Sequence, residues 1–265
     1  MSQIRIFSYL PNPRVWKATI AGRLCGVEVE VRGDAPQELA KWLWDFDARP
    51  ASTVDAATLA AAKRVGRVGF KGQPLYKTDA FLAANPFGTV PAAFNADGSI
   101  GIFESNSIMR AVARLGAERY PLYGHGPFEA SRIDGFLDVS LVFARDAQLY
   151  LLARWDGSLD AATHARAADA LGIWLSGMEQ ALKDGRAALV GEGISLADIC
   201  FVCELALLHN EGTAPDRGDA ALPPLIGAAR RAHPGAFAHF DRLVAHPAFA
   251  PELGPYLAKR RPVEG

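Results

Sequence analysis

The sequence predicts two parts, an α/β unit built on a small mixed sheet and an all-helical unit that follows it. Strand and helix patterns alternate up to about residue 117, whereas from about residue 127 the period-two alternation disappears and helical periods take over. The chain has 265 residues, of which 50% are hydrophobic, enough to bury one large core or two small ones. We therefore assign residues 1–117 to the first domain and 127–265 to the second.

The chain opens with a strand, a helix and a second strand. Apolar residues at alternate positions mark the two strands, at Ile4 and Ile6 and at Val27, Val29 and Val31. Between them every fourth residue is apolar, at Trp16, Ile20 and Leu24. Gly26 follows this helical period, at the position where a helix would end.

A hairpin and a helix complete the first domain. Residues 90–94 favour a third strand and residues 100–103 a fourth, and the pair Asp97-Gly98 between them is a strong hairpin signal. A helical period follows at Ile108, Val112 and Leu115. The strand-helix-strand unit followed by a strand-strand-helix unit predicts a small mixed sheet covered by helices.

Residues 33–70 are not part of the predicted strands and helices of this sheet. Two runs within them have helical spacing, namely Leu39, Leu43 and Phe46, and then residues 59–64. We therefore predict a helical insertion at about residues 33–70. Its Trp42, Trp44 and Phe46 offer an aromatic surface, which either covers an apolar substrate or packs against the body of the domain.

The second domain is predicted to be all helix. Helical periods run through residues 133–141, 171–182, 224–232 and 236–245. Ser195 followed by Asp198 resembles a capping box, and it precedes residues 199–208, which are apolar on nearly all sides. Such a helix should be central to its domain. The proline-containing tail after His246 is expected to pack loosely on the surface.

Composition excludes several classes of partner. Lys and Arg number 28 against 29 Asp and Glu, so the chain offers no broad electrostatic field for nucleic acid or a membrane surface. The N-terminus lacks the pattern of a secretory signal, and no segment approaches the roughly 20 apolar residues of a membrane span. Three cysteines argue against a disulfide framework. We expect a cytoplasmic protein.

The first element with chemical content is Val90-Pro91, which stands at the head of a predicted strand after the turn-like Asn85-Pro86-Phe87-Gly88. A proline there can hold a cis bond and leave the backbone of the preceding residue ready to pair with an extended, peptide-like ligand. The alternative is a trans proline on an edge strand.

The second element is Glu104-Ser105, at the junction of a predicted strand and helix. Free N–H groups and the helix dipole favour an anion at such a position, and the carboxylate of Glu104 suits an ammonium beside it. The pair would then bind a zwitterionic amino-acid head. Alternatively, Ser105 only caps the helix and Glu104 is only exposed.

With these motifs the sequence resembles the glutathione transferase superfamily, in which a thioredoxin-like domain precedes an all-helical one. The resemblance covers nearly the whole chain, and three runs carry it: residues 85–92 with their proline, 103–108 with their Glu-Ser pair, and 195–199 with their capping motif. Within the superfamily, residues 8–18 and the run Phe103-Glu104-Ser105-Asn106 are most similar to the transferase-like domain of elongation factor 1-gamma. The insertion at residues 33–70 departs from it.

The resemblance implies a glutathione site and a homodimer. In that site the backbone of Val90, ahead of Pro91, pairs with the cysteinyl part of glutathione, while Glu104 and Ser105 hold the γ-glutamyl head. Activation of the thiol needs a donor near the sulfur, because a free thiol with a pKa of about 8.5 is mostly protonated at neutral pH. Asn12, just before the first helix, is the favoured donor and Tyr9 the second. The alternative is that Asn12 only shapes the turn and Tyr9 only packs.

Cysteine chemistry and metal binding are not predicted. The loop after the first strand contains no cysteine, so a protein nucleophile of that type is disfavoured there. Cys200 and Cys203 form a Cys-x-x-Cys within the apolar central helix, where no second pair or neighbouring histidine completes a zinc site. None of the histidines has a metal-ligand spacing.

Two functions from different classes remain open. The first is an enzyme that uses glutathione as co-substrate and directs its thiolate at a hydrophobic, aromatic electrophile, by conjugation or by glutathione-dependent bond cleavage. The second is a non-catalytic interaction module of the elongation factor 1-gamma type, with the same fold and a docking function.

Overall fold

A computed structural model describes residues 3–66, 70, 72–213 and 222–260. The chain divides into two compact units, Met1–Arg119 and Tyr120–Gly265. In chain order the elements of the first unit are β1 (Ile4–Tyr9), α1 (Pro13–Cys25), β2 (Val29–Asp34), β3 (Trp42–Trp44), β4 (Arg49–Pro50), α2 (Ala56–Ala62), β5 (Lys63–Val65), β6 (Pro74–Lys77), α3 (Asp79–Ala84), β7 (Ala92–Asn95), β8 (Gly101–Phe103) and α4 (Ser105–Leu115).

The first sheet has the order β2-β1-β7-β8. β1 runs parallel to β2 and antiparallel to β7, and β7 pairs antiparallel with β8. The predicted mixed sheet is therefore confirmed. So is the hairpin, whose turn residue Gly98 has a φ of 77°, which a glycine adopts without steric cost. Likewise Gly26 ends α1 in the left-handed conformation, with a φ of 74°.

The insertion contains a second sheet, with the order β4-β3-β6-β5. The prediction of a helical insertion is therefore wrong for residues 36–44, because Trp42–Trp44 is a strand and Pro36–Lys41 before it is a short 3₁₀ turn. Ala56–Ala62 alone is α-helical within the described residues of the insertion. The helical spacing of Leu39 and Leu43 misled because β3 pairs with β6, a strand about thirty residues further along the chain. Local periodicity carries no signal for such a pairing.

The aromatic residues of the insertion cover one face of the first sheet. Trp44 is fully buried, and its ring lies 5.5 Å from that of Phe7 on β1 and 5.9 Å from that of Phe81 on α3. These rings belong to a core of Phe7, Leu39, Trp44, Ala48, Leu75, Phe81, Ala92 and Phe94. At the edge of this core, Arg5 and Arg32 each pair with both Glu30 and Asp47. Most of the predicted aromatic surface is therefore internal packing.

The second unit is helical, as predicted. Its helices are α5 (Pro127–Asp156), α6 (Ala161–Ala181), α7 (Leu196–Leu208), α8 (Leu225–Ala232), α9 (Pro234–Val244) and α10 (Ala250–Ala258). Nearly every side chain of α7 is buried, which confirms its central position. The expectation of a loose tail is wrong, because Phe249 and Leu253 of the α10 region are fully buried. In the described part of the chain no helix is both long and apolar enough to cross a membrane.

Asp198 fixes the start of α7. Its side chain accepts hydrogen bonds from the backbone N–H of Ser195 at 2.8 Å and of Leu189 at 3.0 Å, and it lies 2.8 Å from Nε2 of His239. Ser195 completes the reciprocal capping box, as predicted. Because Asp198 is fully buried, loss of its carboxylate would leave several buried donors without an acceptor.

We expect Asp198→Ala to lower the free energy of unfolding of the second unit by about 3 to 5 kcal/mol, since it removes a buried cap and strands its donors. Denaturant titration followed by circular dichroism measures this. Asp160→Ala is the matched control, because Asp160 caps α6 through Thr163 from an exposed position and should cost less. Equal losses in the two variants would contradict this account of Asp198.

Candidate functional site

Strand register brings the predicted site residues to one edge of the first sheet. Phe7 on β1 pairs with Ala92 on β7, and Ala92 pairs with Phe103 on β8. The C-terminal end of β1, the N-terminal end of β7 and the C-terminal end of β8 therefore lie on the same side of the sheet. Tyr9 and Asn12 follow the first of these points, Val90-Pro91 precedes the second, and Glu104-Ser105 follows the third.

The Val90-Pro91 peptide is cis, as the sequence predicts. The loop ahead of it is held by its own hydrogen bonds, in which Asn85 Nδ2 donates to the carbonyl of Thr89 at 2.8 Å and Lys77 Nζ to the carbonyl of Gly88 at 2.6 Å. Val90 is half-buried and packs at the edge of the aromatic core. A fixed loop therefore presents this peptide next to the end of β1.

Glu104 has an unusual backbone conformation, with φ 66° and ψ 123°. Positive φ is uncommon outside glycine, and such residues cluster at functional sites. Glu104 is exposed and provides no side-chain cap to α4, so the first N–H groups of that helix are not closed off by it. The next residue, Ser105, is buried. The helix therefore presents backbone donors and a hydroxyl at its N-terminus, where an anion is favoured.

Lys17 is a site residue that the sequence analysis missed. It lies on α1 and is fully buried, and its ammonium donates to Asn106 Oδ1 at 2.8 Å and to Ser105 Oγ at 3.4 Å. Pro13, Lys17 and Ala21 recur every four residues and lie on one buried face of α1, but only the structure shows that burial. Lysine is almost always exposed, so apolar periodicity passes over it.

Asn12 caps α1. Its Oδ1 accepts from the backbone N–H of Arg14 at 3.0 Å, and its Nδ2 donates to Ser8 Oγ at 3.1 Å. The side chain is fully buried. Asn12 therefore has a structural use at this position, and its amide is turned away from solvent.

Tyr9, the last residue of β1, is half-buried and packs against the aromatic core together with Val90, Ala40 and Trp42. β1 pairs antiparallel with β7 as far as Phe7 and Ala92, so Tyr9 and the cis peptide follow and precede the two strands on the same side of the sheet. Of the two predicted thiol donors, Tyr9 is the one with accessible surface at the sheet edge.

All three cysteines of the chain are buried. Burial raises the pKa of the Cys25 thiol, which makes it a poor nucleophile. Cys200 and Cys203 form no disulfide and are buried within α7. Among the residues that the structure describes, no group of three or more His, Cys, Asp or Glu side chains is arranged to hold a metal ion.

Comparison with known proteins agrees with the predicted resemblance, although no family model matches the chain. A probable elongation factor 1-gamma of Arabidopsis thaliana is 36% identical over 145 residues, which cover 49% of this chain and 31% of that protein. The matched segment thus spans about a third of this relative. A glutathione S-transferase-like protein of Fusarium is 27% identical over 209 residues, covering 77% of this chain and 78% of the relative.

The fold is shared with solved glutathione S-transferases. One from Methylobacterium radiotolerans, in complex with glutathione sulfonate, superposes with a TM-score of 0.63 at 20% identity and covers 95% of each chain. The chain therefore has the glutathione transferase fold, with a thioredoxin-like first unit and a helical second unit. The resemblance to that superfamily, and the similarity to elongation factor 1-gamma, are confirmed.

We expect Asn12→Ala to lower the free energy of unfolding of the first unit by about 1 to 2 kcal/mol, because it removes the cap of α1 and the bond to Ser8. Asn12→Ser, which can still cap a helix, should recover part of the loss. Thermal and denaturant unfolding of both variants measure this difference. Unchanged stability in Asn12→Ala would contradict the capping role.

Proposed function

We propose that the first unit binds glutathione and that the protein is a glutathione transferase-like enzyme, which activates the thiol for attack on a hydrophobic, aromatic electrophile. The observation that carries the proposal is the meeting, at one sheet edge, of the cis Val90-Pro91 peptide with Ser105 at the N-terminus of α4. The glutathione sulfonate in the Methylobacterium structure, which has the same fold, supports it.

In this proposal glutathione lies along the edge as a short extended peptide. Its γ-glutamyl carboxylate accepts hydrogen bonds from the Ser105 hydroxyl and from the N-terminus of α4, where the helix dipole favours an anion. The exposed carboxylate of Glu104 meets the ammonium of the same γ-glutamyl group. The backbone of Val90 pairs with the cysteinyl residue, as a strand edge pairs with a peptide.

Activation of the thiol requires a donor that stabilises the thiolate more than the thiol. We assign this role to Tyr9, which is half-buried and packs against the same aromatic core as Val90. Asn12, the donor favoured by the sequence, is retained as the competing assignment, but its side chain is fully buried and bonds to Arg14 and Ser8. The two assignments predict opposite effects of Tyr9→Phe and Asn12→Ala on the pKa of the bound thiol.

The electrophile in this proposal is apolar. Ala40 and Trp42 of the insertion pack against the same aromatic core as Tyr9 and Val90. Apolar and aromatic surface with few polar groups is typical of pockets for hydrophobic ligands. In the reaction the thiolate sulfur forms a bond to an electrophilic carbon, and the leaving group departs with the electron pair of the bond that breaks. Conjugation and glutathione-dependent cleavage share this step.

A second function is favoured by one observation, the similarity of about half of the chain to elongation factor 1-gamma. In that case the fold serves as a docking module and the thiol is not activated. Under either function we propose a symmetric homodimer located in the cytoplasm. Gel filtration with light scattering tests the dimer.

An ultraviolet titration of bound glutathione separates the two functions. We expect the bound thiol to ionise well below the pKa of about 8.5 of a free thiol, because Tyr9 donates to the thiolate. Tyr9→Phe should return the pKa of the thiol toward that value, whereas Asn12→Ala should not. The reverse pattern would transfer the role to Asn12, and an unshifted thiol in the wild type would favour the docking module.

Substitution of Ser105 tests the γ-glutamyl subsite. Ser105→Ala should weaken glutathione binding by about 1 to 3 kcal/mol, because it removes a hydrogen bond to a charged group. Isothermal titration calorimetry measures the change in Kd. Ser107→Ala is the control on the same helix, two residues further along and half-buried. Wild-type affinity in Ser105→Ala would exclude Ser105 from the site.

A further inference from the structure

Lys17 is fully buried, which is rare for a lysine. Its side chain is among the largest that are fully buried, and it lies on the same row of α1 as Pro13 and Ala21. Removal of an ammonium from water is unfavourable, and buried lysines occur almost only where a specific partner holds them. The position of the ammonium therefore calls for a physical reason other than the stability of the core.

The contact with Lys17 determines in which direction the hydroxyl of Ser105 accepts a hydrogen bond and in which it can donate one. An ammonium group only donates hydrogen bonds, so it donates both to Ser105 Oγ, at 3.4 Å, and to Asn106 Oδ1, at 2.8 Å. These are the side chains of the first two residues of α4. When Ser105 Oγ accepts from Lys17, its own O–H is directed elsewhere and is available as a donor. A hydroxyl held in this way suits a ligand that accepts hydrogen bonds.

The positive charge of Lys17 also favours an anionic ligand at the N-terminus of α4. The N-terminus of a helix carries a partial positive charge, so acidic side chains stabilise a helix there and a cation does the opposite. Lys17 adds a positive charge at the N-terminus of α4, which Glu104 does not cap with its side chain. The arrangement is unfavourable for the helix alone and favourable for an anion bound at its end.

We infer that Lys17 is a positioning residue that makes the N-terminus of α4 selective for a carboxylate, the γ-glutamyl α-carboxylate of glutathione. This inference rests on the proposed function. Lys17 is fully buried, so it acts on the ligand through the orientation of Ser105 and Asn106 and through its charge, and the ligand does not contact it. The hydroxyl of Ser105 donates to the carboxylate while accepting from the ammonium.

The test compares two ligands on the full chain. One is glutathione and the other is γ-aminobutyryl-cysteinyl-glycine, which lacks only the α-carboxylate and retains the thiol and the glycine. In Lys17→Met we expect the Kd for glutathione, measured by calorimetry, to rise about 10- to 100-fold, while the Kd for the analogue changes less than about two-fold. The exposed Lys63→Met is the control, and both of its Kd values should match those of the wild type.

Further variants keep the inference testable if Lys17→Met does not fold. Lys17→Gln is uncharged but can still donate to Asn106, and we expect it also to lose its preference for glutathione over the analogue. Lys17→Arg keeps the charge and should retain that preference. If a folded Lys17→Met or Lys17→Gln keeps the wild-type preference, or weakens both ligands equally, the inference is overturned. A wild type that binds neither ligand overturns the proposed function itself, and with it this inference.

Discussion

The antiparallel pairing of β1 with β7 is the constraint on which the candidate site depends. It sets Phe7 opposite Ala92, and the β7–β8 hairpin carries the same register to Phe103. Because a slip of one residue turns every side chain of a strand to the other face, this register is firmly held by the buried residues around it. The ends of three segments that are distant in sequence thereby meet within one sheet edge, each with a different polar feature.

Both units place a buried charged side chain at the N-terminus of a helix, with opposite consequences. Asp198 in the second unit has the sign that a helix N-terminus favours, and donors from Ser195 and Leu189 satisfy it. Lys17 in the first unit has the unfavourable sign at α4 and contacts a serine that would face a ligand. Charge of the first kind stabilises the fold. Charge of the second kind is what an anion site requires, and we attribute it to function.

The insertion covers part of the first sheet. Its strands form a separate small sheet whose aromatic residues cover the face that carries Phe7, and Trp44 is anchored further by its Nε1, which donates to the carbonyl of Leu39 at 2.9 Å. Trp42 remains half-buried and packs against the same core as Tyr9. The insertion therefore contributes mainly to the core of the first unit and leaves a limited apolar surface near the proposed thiol position.

The sequence by itself determined the features whose causes are local. The helix that ends at Gly26, the turn at Asp97-Gly98 and the capping box of Ser195 with Asp198 each follow from residues close together along the chain, and each is present. The motifs with Val90-Pro91 and Glu104-Ser105 were identifiable for the same reason. Their spacing carried the resemblance to the superfamily.

Tertiary structure alone decided the features that depend on distant partners. The pairing of β3 with β6 made a strand of Trp42–Trp44, where local spacing predicted a helix. The burial of Lys17 and its contacts with Ser105 and Asn106 join residues almost ninety positions apart. In each case the energy comes from groups that meet through folding, and no period or motif in the chain records that meeting.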